Sequence, residues 1–281
     1  RTLCLLPSPG RRHTRTALAL TRTGTLLGRA IAERCAKEGM KIVLADTDET
    51  ILSQPQKEME SDGAHVQALV TNVSEIPVIE ALAEQAVSIS GTVDFQCNNG
   101  GIGAVGDFLR PVWESPVSDW EKVMSVNLWG VIYGVRTFVP IMLAQNTECH
   151  TVNTASSWGL TTGSGNGAYR VSKHAVVSFS ETLSHELAER ESKIKVSVLC
   201  PTGIKSSITE PLLQDFPSYD IPDRELRKLQ TFHRNMQAGR PPALVADCVF
   251  DAIRNEQFYI LFAPSVRDGV KRRLEGILQE Q

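Results

Sequence analysis

The stretch ALALTRTGTLLGRAIAERCAKEGMKIVLAD, residues 17–46, contains one complete unit of the fold that the sequence predicts. ALAL at 17–20 and KIVLAD at 41–46 are short apolar runs, which are typical of buried strands. Between them, residues 28–38 repeat apolar positions along one helical face, and Gly39 follows where a helix C-cap is expected. The unit is therefore a strand, a helix and a second strand.

The same alternation of apolar runs and helical stretches continues along the rest of the chain. Further strands are predicted at 66–70, 92–97, 150–155, 194–200 and 258–262, and further helices at 75–90 with Ser74 as N-cap, at 120–143, 168–189 and 243–254. Strands that alternate with helices pair in parallel through crossover connections. The prediction is an α/β protein with a Rossmann-type, doubly wound parallel sheet, a three-layer α/β/α single domain over residues 17–281.

Composition limits the classes of function. The chain has 281 residues and a net charge of -3, which argues against a nucleic-acid surface. We see no apolar run that approaches the roughly 18 to 20 residues needed to cross a bilayer. The six cysteines are isolated from one another and form no metal-like spacing, so no metal ligand is predicted and a reducing, cytoplasmic location is favoured. The expected partner is a small molecule.

Two segments depart from the rhythm. Residues 1–16 carry four arginines and no acid, and we expect a disordered or non-native leader, with mitochondrial targeting as the alternative. Residues 204–240 contain three prolines among short helical pieces and follow the carboxyl end of a predicted strand. Such excursions commonly cover ligand sites, so this segment is predicted to be a substrate lid.

Tyr169 and Lys173 are the first candidates for chemistry. They are four residues apart in a predicted helix, so their side chains lie on one face and their polar ends can converge. A neighbouring ammonium favours phenolate and lowers the pKa of a tyrosine, which makes the pair a tunable acid and base. The alternative is a pair of surface residues without a function.

Ser156 and Asn127 add polar groups near the same place. Ser156 comes thirteen residues before Tyr169, just after a predicted strand, and open α/β sheets bind ligands at the carboxyl ends of their strands. Its hydroxyl could donate to a carbonyl oxygen. Asn127 lies in an otherwise apolar helix, where an amide can also serve as a partner of the backbone or mark a kink.

Several spaced motifs together resemble the short-chain dehydrogenase/reductase family over residues 17–265. The matching stretches are NNGG at 98–101, VNLWGV at 126–131, NTASSWG at 153–159, YRVSK at 169–173 and PTGIKS at 201–206. The resemblance implies Tyr169 as acid and base, Lys173 as its modulator and a ribose ligand, Ser156 as the group that polarises the carbonyl, and Asn127 as the holder of a relay water. Spacing to the tyrosine favours Ser156 over Ser157.

The resemblance also implies a dinucleotide site. Its expected residues are Gly24, Leu27, Gly28, Asp46, Asn72, Val73, Asn98, Gly100, Tyr169, Lys173, Pro201 and Ile204. Asp46 ends the second predicted strand, where a carboxylate accepts the ribose hydroxyls and repels a 2'-phosphate, so NAD is favoured over NADP. A solvated residue or helix cap is the alternative for Asp46. Asn98 is expected to line the ribose, and the Ile204 backbone the carboxamide.

The phosphate loop departs from the family. The family pattern Thr-Gly-x-x-x-Gly-x-Gly aligns with TRTGTLLG at 21–28, so Arg22 and Leu26 replace the first two glycines and only Gly28 remains in register. Glycines there allow a tight turn and a close approach to the pyrophosphate, so we expect Leu26 to crowd the phosphates. Gly24 and Arg22 are expected to offer partial compensation. We expect residues 1 to about 27 to come from an altered reading frame or a divergent 5' end.

The leading hypothesis is therefore an NAD(H)-dependent oxidoreductase acting on an alcohol or ketone. The alternative is a homologue that binds cofactor poorly and acts as a binding or scaffold protein. Trp113, Trp158, Leu160 and the predicted lid suggest an apolar substrate pocket. The resemblance also implies a homodimer or homotetramer.

Overall fold

The computed structural model describes residues 17–21, 25–220 and 222–279 and has the predicted α/β architecture. The predicted leader, residues 1–16, lies outside the described residues. So do Arg22 and Gly24, two of the positions on which the comparison with the family's phosphate loop depends.

Seven parallel strands form a single sheet. They are β1 (Ala17–Thr21), β2 (Lys41–Asp46), β3 (Val66–Val70), β4 (Phe95–Asn98), β5 (Cys149–Thr154), β6 (Ile194–Leu199) and β7 (Tyr259–Ile260). Their order across the sheet is β3-β2-β1-β4-β5-β6-β7, and every neighbouring pair is parallel. The strand order reverses between β1 and β4, so a crevice opens there at the carboxyl ends of the strands.

Helices cover both faces of the sheet. They are α1 (Leu26–Lys37), α2 (Glu49–Ser61), α3 (Ile76–Ser90), α4 (Val105–Leu109), α5 (Val117–Met124), α6 (Gly130–Gln145), α7 (Gly167–Glu189), α8 (Glu210–Asp215), α9 (Asp223–Gln237), α10 (Pro242–Arg254) and α11 (Pro264–Gln279). In β2, Ile42 and Leu44 pack into the core beneath α1 and α10, while Val43 and Ala45 pack into the core beneath α3 and α6. The strand is buried on both faces, which is why its sequence is continuously apolar.

Most predicted elements are present, and the differences lie at their ends. β2 and β3 occupy the predicted residues, whereas β4 begins at Phe95 rather than at 92, and β7 has only two residues. The prediction that Ser74 caps α3 is wrong, because Glu75 occupies the N-cap and makes no side-chain cap hydrogen bond. One helix, α2, was not expected at all. It contains Pro55, which interrupts the helical pattern in the sequence.

The predicted helix at 120–143 is longer and contains an irregular turn. A π-helical turn at Ser125–Trp129 joins α5 to α6 without interrupting the helical run. The expectation of no membrane-length apolar run is also wrong, because Val117–Gln145 is long and apolar enough to cross a bilayer by length and composition. In this fold one face of the run packs into the core, where Phe138 and Met142 are buried.

Candidate active site

Two adjoining cavities follow the carboxyl edge of the sheet. One, of about 340 Å³, is lined by Ser156, Tyr169 and Lys173 but not by Asn127, and the other, of about 460 Å³, is lined by the end of β2. Thr25 lines both cavities, and the NNGG segment contributes Asn99 and Gly101 to the first and Gly100 to the second. We call them the catalytic cavity and the β2 cavity. An elongated ligand that spans both would pass the N-terminus of α1.

The catalytic cavity brings Ser156, Tyr169 and Lys173 together. Ser156 directly follows Ala155 at the carboxyl end of β5, and its Oγ accepts a hydrogen bond from the Trp158 amide at 3.2 Å. Lys173 is almost fully buried, with its Nζ donating to the Thr154 carbonyl at 2.9 Å and lying 5.7 Å from the centre of the Tyr169 ring. The ammonium is therefore fixed beside the tyrosine.

Asn127 lies in the π-helical turn and is completely buried. Its Oδ1 accepts from the Ile102 amide at 2.8 Å, and its Nδ2 donates to the Ile102 carbonyl at 3.0 Å and to Ser172 Oγ at 3.2 Å. The amide thus holds the loop after β4 and contacts the helix of Tyr169 through Ser172. Both features of the alternative interpretation, a distorted helix and backbone partners, are present at this residue.

The side chains of the two asparagines in the NNGG segment point in opposite directions. The amide of Asn98 is used inside the sheet, where it donates to Asn153 Oδ1 at 2.9 Å and accepts from Gln96 at 3.1 Å. The side chain of Asn98 therefore lines neither cavity, and its expected place at the ribose stays a prediction. Asn99 lines the catalytic cavity instead and contacts Thr25 Oγ1 and Thr154 Oγ1, each at 3.2 Å. Successive strand residues face opposite sides, which explains the exchange.

The β2 cavity is acidic. Asp46 is buried and accepts a hydrogen bond from the Thr47 amide at 2.8 Å, and Asp48 and Glu210 also line the cavity. The predicted residues Asn72, Val73 and Gly100 lie in its wall. Within residues 25–220 and 222–279, no lysine, arginine or histidine lines it. The described lining of the cavity therefore carries negative charge without a basic side chain beside it.

Helix α1 begins beside the cleft at Leu26. Thr25 is its N-cap, with Oγ1 accepting from the Gly28 amide at 3.2 Å. Leu27 lines the catalytic cavity, and Gly28 is buried in the first turn. Thr21 Oγ1 accepts from the amides of Asn99 and Gly100, which ties the end of β1 to the NNGG segment.

Residues 204–240 contribute the outer wall of the catalytic cavity. Phe232 on α9 stacks on Trp158 with ring centres 5.9 Å apart and also contacts Phe108 at 4.9 Å. Pro201 and Ile204, the expected cofactor residues, lie in the wall together with Leu212. This apolar wall favours binding of an apolar ligand group.

Two of the aromatic and aliphatic residues expected in the pocket are absent from it. Trp113 is 80% exposed and lies on a different surface, and Leu160 packs against the core beneath β6. Sequence reasoning also missed Phe108, Phe232 and Asn99. Of these three residues, only Asn99 could have been found from the sequence, because it lies in the NNGG segment. The two phenylalanines reach the cavity only through tertiary packing.

The other titratable groups near these strands are structural. Burial lowers the pKa of His150 to about 3, and its Nε2 lies 2.8 Å from Ser197 Oγ. Burial raises the pKa of the Cys200 thiol to about 12, so this cysteine stays protonated. In the described part of the chain, no group of three or more histidine, cysteine or acidic residues could hold a metal ion.

Comparisons with known proteins agree with this geometry. A family model for short chain dehydrogenases matches residues 19–216. A CLA biosynthesis dehydrogenase/reductase from Lactiplantibacillus plantarum is 30% identical over 256 residues, which cover 87% of this chain and 88% of the relative.

Solved structures show the same likeness. A short chain dehydrogenase/reductase from Burkholderia phymatum, in complex with NAD, is 38% identical with a TM-score of 0.87, and 95% of each chain is covered. A single-site variant of actinorhodin polyketide ketoreductase, with NADPH, is 26% identical with a TM-score of 0.73, covering 88% of this chain and 93% of that one.

Proposed function

This chain belongs to the short-chain dehydrogenase/reductase family, and on that premise we propose that it transfers a hydride between NAD(H) and an alcohol or ketone. The observation that carries the proposal is the convergence of Ser156, Tyr169 and Lys173 in one cavity at the carboxyl edge of the sheet. The family consists of oxidoreductases, and this convergence supports the proton transfer that such a reaction needs.

The residues fit a dinucleotide. Asp46 and Asp48 line the cavity at the end of β2, where adenosine hydroxyls would find acceptors and a 2'-phosphate would meet like charge. A residue without a side chain suits position 101, because a Cβ there would lie 3.2 Å from Lys173 Nζ. The backbone of Gly101 therefore leaves room for a cofactor beside Lys173. These features support NAD over NADP. When bound, NAD(H) supplies or accepts the hydride.

The protein's own residues would move the proton. Tyr169 would give a proton to the substrate oxygen during reduction and take it back during oxidation. The buried ammonium of Lys173 favours the phenolate form by charge, and the Ser156 hydroxyl would donate a hydrogen bond to the same substrate oxygen. Asn127 would keep the loop after β4 in place beside them and hold a relay water.

We propose that the substrate carries a bulky apolar group and that residues 204–240 act as a lid over it. Phe108, Trp158 and Phe232 form a continuous aromatic wall, two of its three members outside the lid segment. Closing such a wall around an apolar group removes it from water, which stabilises the complex.

The exposed apolar side chains of Trp129, in the π-helical turn before α6, and of Val171, on α7, support a homodimer or homotetramer formed through these helices. The cysteines of the described residues are free, which supports a reducing, cytoplasmic compartment. Light scattering on the purified chain would measure the number of subunits.

The deciding experiment is a screen of apolar alcohols and ketones with NAD(H) and NADP(H), read at the nicotinamide absorbance, together with thermal shifts for each cofactor. We expect turnover and a larger shift with NADH. If no substrate is turned over and millimolar cofactor does not shift the melting temperature, the alternative of a cofactor-impaired binding or scaffold protein would be correct.

A further inference from the structure

The helix that carries Tyr169 begins only two residues before it. The first backbone amides of a helix have no partner within the helix and need an acceptor from elsewhere. Asn166 occupies the N-cap of α7 in a left-handed conformation, with φ 56°, and makes no side-chain cap hydrogen bond. Another residue must therefore satisfy these amides.

Asp107 on α4 provides this cap from far away in the sequence. Its Oδ1 accepts from the Ala168 amide at 2.7 Å, and its Oδ2 accepts from the Tyr169 amide at 3.1 Å. The Asp107 carbonyl also accepts from the Asn166 amide at 2.9 Å. Asp107 is only 1% exposed, so water does not compete for these hydrogen bonds. One buried residue therefore holds the start of the helix in place.

A second buried carboxylate fixes Asp107. The Asp107 amide donates to Asp119 Oδ2 at 3.1 Å, and Asp119 on α5 is 3% exposed. The approach requires a glycine at position 106, because a Cβ there would lie 2.6 Å from the same carboxylate oxygen. Gly106 therefore lets α4 and α5 lie close enough for this hydrogen bond to form.

The other oxygen of Asp119 reaches the 204–240 segment. It accepts from the Tyr219 hydroxyl at 2.7 Å, and Tyr219 follows the 3-10 turn at Phe216–Ser218. Next to it, Arg110 donates to the Asp220 carbonyl at 3.1 Å. A continuous chain of hydrogen bonds therefore runs from this segment through two buried carboxylates to the backbone of Tyr169.

We propose that Asp107, Asp119 and Tyr219 are positioning residues that couple docking of the 204–240 segment to the placement of Tyr169. The coupling rests on the proposed function, since it places the acid and base of that reaction. With the segment docked, both oxygens of each carboxylate have partners. With it undocked, Asp119 loses the Tyr219 hydroxyl, and the carboxylate that holds the Asp107 amide is then no longer fixed from both sides.

Tyr219→Phe tests the coupling because it removes only the hydroxyl of a half-buried residue. Tyr259→Phe is the matched control, since the Tyr259 hydroxyl also donates to a carboxylate, that of Glu181, outside the catalytic cavity. Hydrogen exchange at the amides of Ala168 and Tyr169 reports the helix start directly. Values of kcat and of the NADH Kd report catalysis and cofactor binding separately.

We expect Tyr219→Phe to speed exchange at both amides by about three- to tenfold and to lower kcat by a similar factor, with the NADH Kd unchanged. Asp107→Asn keeps one acceptor oxygen and should have a larger effect on the same measurements. Tyr259→Phe should change none of them. A general loss of stability would instead accelerate exchange throughout the fold.

Unchanged exchange at Ala168 and Tyr169 in Tyr219→Phe would overturn the coupling. Faster exchange with unchanged kcat would also overturn it, because the helix start would then have no influence on the acid and base. If the wild-type chain shows no turnover, the proposed function fails, and the exchange rates alone decide whether Tyr219 controls the helix start.

Discussion

The two ends of the cleft differ in how their polar groups are held. At the proton-transfer end, Asn127, Lys173 and the amide of Tyr169 all have buried partners on other elements. At the phosphate-loop end, the start of α1 depends on the hydroxyl of Thr25, and the glycines that the family uses there are replaced by Arg22 and Leu26. We therefore expect substitutions at the two ends to change different quantities.

The largest effect is expected for Tyr169→Phe. The substitution removes the acid and base but keeps the ring, so kcat/KM should fall by about a thousandfold. The NADH Kd should change little, because the ring of residue 169 is kept and Lys173 remains in place as a ribose ligand. Steady-state kinetics and calorimetry measure the two quantities, and Tyr133→Phe on α6 is the control. Substantial residual turnover would eliminate Tyr169 as the acid and base.

A buried histidine in β5, His150, should make the free energy of unfolding depend on pH. Burial lowers the pKa of His150 from 6.5 to about 3, so the folded state keeps the imidazole neutral where the unfolded chain protonates it. The unfolded chain binds more protons between these values, and stability is therefore lost as the pH falls below about 6.5. The free energy of unfolding should drop by about 2 kcal/mol at pH 5 from this residue alone.

His150→Gln keeps a donor for Ser197 and removes the titration. Urea unfolding at pH 7 and pH 5 should show a smaller loss for this variant than for the wild type. His65→Gln, at an exposed position, is the matched control for the loss of a histidine. An equal loss in His150→Gln and wild type would contradict the assignment.

Asp46→Ala tests the cofactor end. Loss of a charged acceptor for the ribose should reduce the preference for NADH over NADPH by about tenfold in kcat/KM. Asp48→Asn removes a neighbouring charge but keeps an acceptor oxygen for the cap of α2. If it reduces the preference as much as Asp46→Ala, general negative charge rather than a hydrogen bond accepted by Asp46 would set the preference.

The smallest effect is expected for Leu26→Gly combined with Arg22→Gly. Restoring both glycines should relieve crowding at the phosphates by about 1 kcal/mol and lower the NADH Kd by about fivefold. The kcat value should not change, because the proton-transfer end is held independently. Calorimetric titration with NADH measures the change, and an unchanged or higher Kd would show that the substituted loop does not hinder the cofactor.

Local patterns were enough to place the residues whose neighbours are close in sequence. The β2 strand is a continuous apolar run because it is buried on both faces, and its bounds could be predicted to the residue. The meeting of Tyr169 and Lys173 follows from helical spacing, and position at the end of β5 placed Ser156 beside them. For these residues, burial and periodicity in the sequence carry the information.

Other features depended on which elements meet in space. From the sequence, Asn98 and Asn99 are equal candidates for the wall of the cleft. Only the packing of β4 between β1 and β5 decides that Asn99 faces it. Trp113 has the composition of a pocket residue, yet its loop places it in solvent. Propensity describes a residue's preferences, whereas exposure depends on what packs against it.

The sequence by itself therefore determined the doubly wound sheet, the candidate residues for proton transfer and the departure from the family at the phosphate loop, because each of them depends on local spacing in the chain. Only the tertiary structure decided that Asp107 caps the helix of Tyr169 and that Tyr219 connects to it. The physical reason is that a capping hydrogen bond needs an acceptor at the right place, and here α4 brings that acceptor from about 60 residues away.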